Sequence, residues 1–336
     1  MHYLVPNYIG PSHINHTDIV NRNLSISNAV FGNEQNRPAI AIFDGTYAYL
    51  QKSSNYLFQK KTYSLHKYDN CFVGFRDAIP LLQRLGYQIH KPESLDHGQT
   101  QLNTEQANKS RKVTLCRWVV EVVNGRFKRD FKLFRQRFFN FATPHLMEDF
   151  KIAAAWINKY HIPIEDSPNS DEIIQRVVRF MDQPNSLGIF VRENNLNRQR
   201  SMSLRVDGNL PQLEHFPILD YSQLILMALG PYQVKRARSY YGEHIRANGI
   251  YNIEVCPDLE RAKSRHIGQK RYYVYILYET EPTINHLDDI LSYYCSCIVG
   301  NRTLGCCCHV MTVIWYLGWA KHQNTLSSPA SINKIY

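Results

Sequence analysis

Four side chains toward the C-terminal end of the sequence have the types and spacing for soft-metal chemistry. Cys295 and Cys297 form a Cys-x-Cys pair, and Cys307 and His309 form a Cys-x-His pair. Both pairs lie in the stretch YYCSCIVGNRTLGCCCHVMTVIWYLG, which begins at Tyr293 and holds five of the chain's eight cysteines. Zinc takes four thiolate or imidazole ligands in a tetrahedron, so two paired ligand motifs suit it. Two other readings compete: disulfides, and cysteines packed as small buried hydrophobes. No charged start followed by an apolar run and a small-residue cleavage site occurs at the N-terminus. The expectation is therefore an intracellular protein whose thiols stay reduced, which weighs against disulfides. Cys306 and Cys308 flank the second pair and read as packing cysteines, or as thiols able to replace a ligand.

The elements that must position these groups are legible around them. LSYYCSC is rich in aromatics and reads as a strand, with Cys295 and Cys297 on one face. Gly300 and Gly305 mark the following loop. CCCHVMTVIWYLGWA then reads as a helix opening, with the Cys-x-His pair at its first turn. Backbone N–H groups there favour a thiolate. Val310, Val313, Ile314 and Leu317 recur at helical spacing and are core candidates. The apolar run Leu304–Ala320 is short for a membrane span, which needs ~20 residues, and no span is expected.

This strand-loop-helix pattern resembles the SWIM-type zinc finger. PYQVKRARSYYGEH, AKSRHIG and RYYVYILYE resemble the segment that precedes such fingers in transposase-like proteins, so the resemblance covers residues 216–323. It implies Cys295, Cys297, Cys307 and His309 as ligands of a structural Zn²⁺. It also implies a small α+β domain that binds DNA or a protein partner.

A second set of candidates lies in the N-terminal half. The apolar run Ala39–Phe43 reads as a strand covered on both faces, ended by Asp44, which suits either a metal ligand or an Asp-Gly turn. Residues 108–138 read as one helix, with Cys116, Val119, Val123 and Phe127 as a buried stripe. Glu121 falls on the other face with Arg117, Asn124 and Lys128. It is either a metal-binding carboxylate or a solvated residue in i,i+4 contact with Arg117. Arg117, Arg126, Lys128 and Arg129 belong to a basic and aromatic run that suits phosphate contact.

AIFDGTYAYLQKSSNYLFQKKTYSLHKYDN, GFRDAIPLLQRLG and QLNTEQANKSRKVTLCRWVVEVVNGRFKR resemble the DDE superfamily endonuclease domain of Harbinger-type transposases, over residues 14–138. The resemblance implies an α/β, RNase H-like fold with a mixed sheet, and two-metal phosphodiester chemistry with Mg²⁺ or Mn²⁺. Asp44 and Glu121 match the family's first and third acidic residues. At the second, CFVGFRD places Phe72 where the family has an aspartate, and a long family segment between HKYDN and GFRD is missing. Asp77 matches a later, non-catalytic aspartate. Two carboxylates are not expected to hold the metal pair. Asp69 and Asp77 lie nearby, but nothing in the local pattern marks either as a substitute.

The organisation expected is an N-terminal remnant at 1–37, a truncated endonuclease-like domain at 38–138, a helical connector and polar loop at 139–215, the SWIM-type domain at 216–323, and a disordered tail at 324–336. In the connector, HLMEDFKIAAAWINKYH and DEIIQRVVRFMD read as amphipathic helices. The net charge of +10 favours a polyanionic partner. The leading expectation is a transposase-derived nuclear protein that binds zinc and then DNA or a protein, without competent nuclease activity. The alternatives are a metal-dependent DNA endonuclease or transposase, and a non-functional relic or faulty gene model.

Overall fold

The structure is a computed structural model. It describes residues 3–9, 13–32, 37–43, 47–52, 54–64, 69–73, 79–198, 204–206, 215–244, 253–255, 261–265, 271–279, 281 and 287–323. The chain divides into two compact units, Met1–Lys91 with Cys116–Pro168, and Pro92–Leu115 with Asn169–Tyr336. No helix among the described residues is long and apolar enough to cross a membrane.

In the first unit, three short helices (Leu4–Tyr8, His16–Asn21 and Ser25–Phe31) precede a three-stranded sheet. Strand Asp69–Val73 is central, with Tyr47–Tyr49 on one side and Tyr63–Ser64 on the other, all antiparallel. Phe72 sits in the central strand opposite Ala48. The expected strand at Ala39–Phe43 does not form: these residues take no regular structure, and Phe43 is 58% exposed. A side chain meets part of this backbone where a sheet partner was expected. The Asn23 amide donates to the Pro38 carbonyl at 2.8 Å and accepts from the Ile40 N–H at 3.1 Å. These bonds satisfy backbone groups that would otherwise need a neighbouring strand.

The single helix expected over 108–138 is two helices, Thr104–Cys116 and Trp118–Asp130. The second ends where Phe131 turns extended. Arg135 then folds back, donating to the carbonyls of Lys128 and Arg129. Of the expected buried stripe, Cys116 is buried, while Val119, Val123 and Phe127 are half-buried. The aromatic packing lies further on: Phe134 stacks on Phe150 at 4.2 Å, with Phe127 and Phe138 around them. Helix Leu146–Tyr160 closes this unit.

The second unit is built around helix Cys308–Gly318, nine of whose eleven residues are buried. Its hydrophobic core joins Val310, Ile314 and Leu317 to Leu224, Val234 and Val274. A three-stranded antiparallel sheet, in the order Arg261–Arg265, Arg271–Tyr278, Ile290–Cys295, packs on this helix, with Val274 opposite Cys295. Helices Tyr221–Ala228 and Pro231–His244 complete the core. Strand Leu204–Val206 pairs antiparallel with Ile253–Val255, so part of the expected polar loop belongs to this unit. The expected connector is shared out: helix Leu146–Tyr160 lies in the first unit, and helices Ser170–Phe180 and Ser186–Glu193 lie in the second. The expected tail at 324–336 lies outside the described residues.

Candidate metal centre

The expected strand, loop and helix form in that order, but the strand ends at Cys295, so Cys297 lies in the turn and not on the strand face. Strand Ile290–Cys295 delivers Cys295, and a tight turn returns Cys297 beside it, with the Gly300 N–H donating to the Cys297 carbonyl at 3.0 Å. The Cys295 N–H donates to the Gly300 carbonyl at 3.0 Å, which draws the two backbones together. A Cβ at Gly300 would collide with the Cys295 carbonyl oxygen, so only glycine fits. Gly305 has φ +57°, and a Cβ there would lie 2.8 Å from the Ala228 carbonyl oxygen.

Cys307 is the N-cap of helix Cys308–Gly318, and its sulfur accepts from the Val310 N–H at 3.5 Å. His309 lies in the first turn and is buried. Its Nδ1 is 3.6 Å from Cys295 Sγ and 3.8 Å from Cys307 Sγ. One donor atom from each of Cys295, Cys297, Cys307 and His309 lies within 4.8 Å of every other, and all four residues are buried. With Zn–S at ~2.3 Å and Zn–N at ~2.0–2.1 Å, a tetrahedron has edges of ~3.8 Å between sulfurs and ~3.6 Å from sulfur to nitrogen. The observed sulfur–nitrogen separations match those edges, so this Cys₃His set can hold a metal ion such as zinc.

The electrostatics suit a cation. Burial, then hydrogen bonding with Cys297 and Cys307, pushes the Cys295 thiol well up. For Cys297, bonding with Cys295 pulls down, but bonding with Cys307 and burial together raise it. Burial also acts to raise Cys307, yet hydrogen bonding from Cys295, Cys297 and His309 overrides it and holds that thiol well below its ordinary value. Of the three thiols, the one at the helix N-terminus is thus the most readily deprotonated. A divalent ion would replace those shared protons. Cys306 and Cys308 are not in the donor set. Burial pushes Cys306 up to about 12 and Cys308 up to about 11, as expected of packing cysteines.

The imidazole is walled by aromatics, with the Tyr272 ring centred 4.7 Å and the Tyr240 ring 5.1 Å from it. A further wall comes from residues 92–115, which the sequence reading placed in the endonuclease-like domain. Gln101 donates to the carbonyls of Cys295 and Cys297 at 2.7 and 2.8 Å, and accepts from the Tyr294 hydroxyl at 3.0 Å. Asn108 accepts from the N–H groups of Thr303 and Leu304 at 3.0 and 3.1 Å. Arg111 donates to the last carbonyls of helix Tyr221–Ala228, at Ala228 and Leu229. These three positions escaped the sequence reading. Gln101 precedes helix Thr104–Cys116 and Asn108 and Arg111 lie on it, and polar side chains there carry no periodic signal of burial.

The remaining candidates are not assembled in this way. Asp44 and Asp77 lie outside the described residues, as do the side chains of Asp69 and Phe72. Glu121 is exposed on helix Trp118–Asp130. Arg117 and Arg126 are half-buried, and Lys128 is exposed. Arg129 is held by Asp130 at 2.7 Å, which in turn lies 2.8 Å from His161. Comparison of the chain with protein-family models, with curated proteins and with solved structures finds no match.

Proposed function

We propose that the chain is a zinc-binding, transposase-derived protein that recognises DNA or a protein partner in the nucleus and does not cut nucleic acid. The convergence of Cys295, Cys297, Cys307 and His309 at the junction of strand, loop and helix carries this reading. All four candidate ligands are protein groups on packed elements, which is the closed arrangement of a structural site and leaves no open position for substrate. The ion would tie strand Ile290–Cys295 to helix Cys308–Gly318, and its binding energy would be folding energy for the unit. The SWIM-type resemblance places its ligands at the same four residues. The endonuclease alternative draws no comparable support. Its one described carboxylate, Glu121, stands exposed with Arg117 half-buried one turn away. Two-metal hydrolysis needs several carboxylates fixed around both ions.

The test is elemental analysis of the purified full chain together with a nicking assay on supercoiled DNA in Mg²⁺ or Mn²⁺. Bound zinc without nicking is expected. Metal-free folded protein, or nicking abolished by Glu121→Gln, would contradict the proposal.

A further inference from the structure

Basic runs lie on helix Trp118–Asp130 and on helix Pro231–His244, among others. On helix Trp118–Asp130, Arg129 is paired with Asp130, and the helix end is occupied by the Arg135 guanidinium. On helix Pro231–His244, Tyr232, Lys235, Arg236 and Ser239 are all exposed. They recur at i, i+3, i+4 and i+7 and so make one stripe, with Arg238 exposed at its flank. Among the described residues no carboxylate pairs with Lys235 or Arg236.

The opposite face of this helix is fixed. Val234, Ala237, Tyr240 and Tyr241 are buried. The Tyr240 ring meets the His309 imidazole edge-on at 5.1 Å, and Tyr241 stacks on Tyr316 at 5.3 Å. The helix is thus seated directly on the candidate ligand His309 and on the helix that carries it. Whatever orders the Cys/His centre also orders the basic stripe.

We propose that the exposed stripe Tyr232, Lys235, Arg236, Ser239 is a phosphate-backbone contact for duplex DNA, held in shape by the metal centre behind it. This rests on the zinc reading above for the rigidity of the helix. The stripe offers two cations and two hydroxyl donors on an exposed helix face, with no carboxylate among its residues. An open face is wrong for a single small anion, which needs an enclosing set of donors. From Tyr232 to Ser239 the helix rises ~10 Å, about three steps of the 3.4 Å axial phosphate repeat of a DNA strand. The net charge of +10 adds long-range attraction for the same partner.

The experiment measures binding of the full chain to a short labelled DNA duplex across a salt series, with zinc content determined on the same samples. Alanine keeps helix propensity, so the Lys235→Ala/Arg236→Ala variant should fold and retain zinc. Its binding should weaken, and the slope of log K against log salt should fall by about 1.8, at ~0.9 per lost phosphate contact. The Arg126→Ala/Lys128→Ala/Arg129→Ala variant should flatten that slope less, since Arg129 is already paired with Asp130. The proposal is overturned by zinc-loaded chain that binds no duplex at low salt. It is also overturned by an unchanged slope in the Lys235/Arg236 variant, or by tighter binding of a single-stranded RNA of the same length. Loss of zinc from the unaltered chain contradicts the metal reading instead, so the two failures are told apart by the metal measurement.

Discussion

The Nδ1 of His309 stands 3.6 Å from the Sγ of Cys295, a residue fourteen positions earlier in the chain. Strand Ile290–Cys295 and helix Cys308–Gly318 are joined at that point by side chains of metal-ligating type. The packing around it is apolar and aromatic, with Tyr240 and Tyr272 against the imidazole. Three buried thiols and an imidazole gathered without a cation gain little from hydrogen bonding among themselves, since sulfur is a weak donor and acceptor. With a divalent ion the same cluster becomes the strongest tie in the unit.

His309→Ala removes one of four ligands, and the variant is expected to lose most of its zinc. It should also unfold its unit at lower denaturant, because structural zinc sites contribute ~10–16 kcal/mol in small zinc domains. Cys306→Ala, outside the donor set, should keep its zinc. Elemental analysis and urea melts compare the two. Equal metal content in both variants would contradict the ligand assignment.

Residues 92–115 should behave as part of the metal unit. Asn108→Ala orphans the N–H groups of Thr303 and Leu304, at a cost of about 1–3 kcal/mol for each buried group left unpaired. Gln101→Ala frees the carbonyls of Cys295 and Cys297 and should speed zinc release to a chelator. A segment limited to 216–323 lacks both residues and should hold metal less tightly than the full chain. Urea denaturation and chelator competition measure these effects, and changes within about 0.5 kcal/mol would place the segment outside the unit.

The zinc motif was readable because each ligand pair is close in sequence, the first at a strand end and its turn, the second at a helix N-terminus. Cys307 at the N-cap and Val310, Ile314 and Leu317 in the core follow from that local pattern. Gln101, Asn108 and Arg111 were not readable, because a long-range bond from a polar side chain to a distant carbonyl leaves no periodic trace. Ala39–Phe43 misled for a related reason: five apolar residues announce burial but do not say what will cover them. Here no strand formed, and the Asn23 side chain bonds the Ile40 N–H and the carbonyl of Pro38 just before the run. The helix break at Arg117 was likewise hidden, since the apolar spacing runs on through it.

The chain should lose stability in alkali. Burial raises Cys306 from 9.0 to about 12, so the folded state holds its proton more tightly than the unfolded state does. The contribution is complete below pH 9 and is lost as pH rises from there toward 12. Cys306→Ala should flatten that fall in a series of urea melts at increasing pH. An unaltered pH profile in the variant would show that Cys306 is not buried as a thiol.

No cleavage is expected from the carboxylates of the N-terminal half. Glu121 is exposed, and its replacement by Gln should leave the thermal stability of the chain within about 0.5 kcal/mol. Incubation of supercoiled DNA with Mg²⁺ or Mn²⁺ should yield no nicked product from either the unaltered chain or the Glu121→Gln and Asp44→Asn variants. Nicking that depends on both carboxylates would restore the endonuclease alternative, with Asp69 and Asp77 as candidates for the missing ligand.

The central claim is that Cys295, Cys297, Cys307 and His309 together bind one zinc ion. X-ray absorption at the zinc edge of the purified full chain tests it most directly. Three sulfurs at ~2.3 Å and one nitrogen at ~2.0–2.1 Å are expected around the metal. Loss of the nitrogen scatterer in His309→Ala would follow. A shell of oxygen donors, a shell of four sulfurs drawing on Cys306 or Cys308, or a folded chain that carries no zinc at all would contradict it.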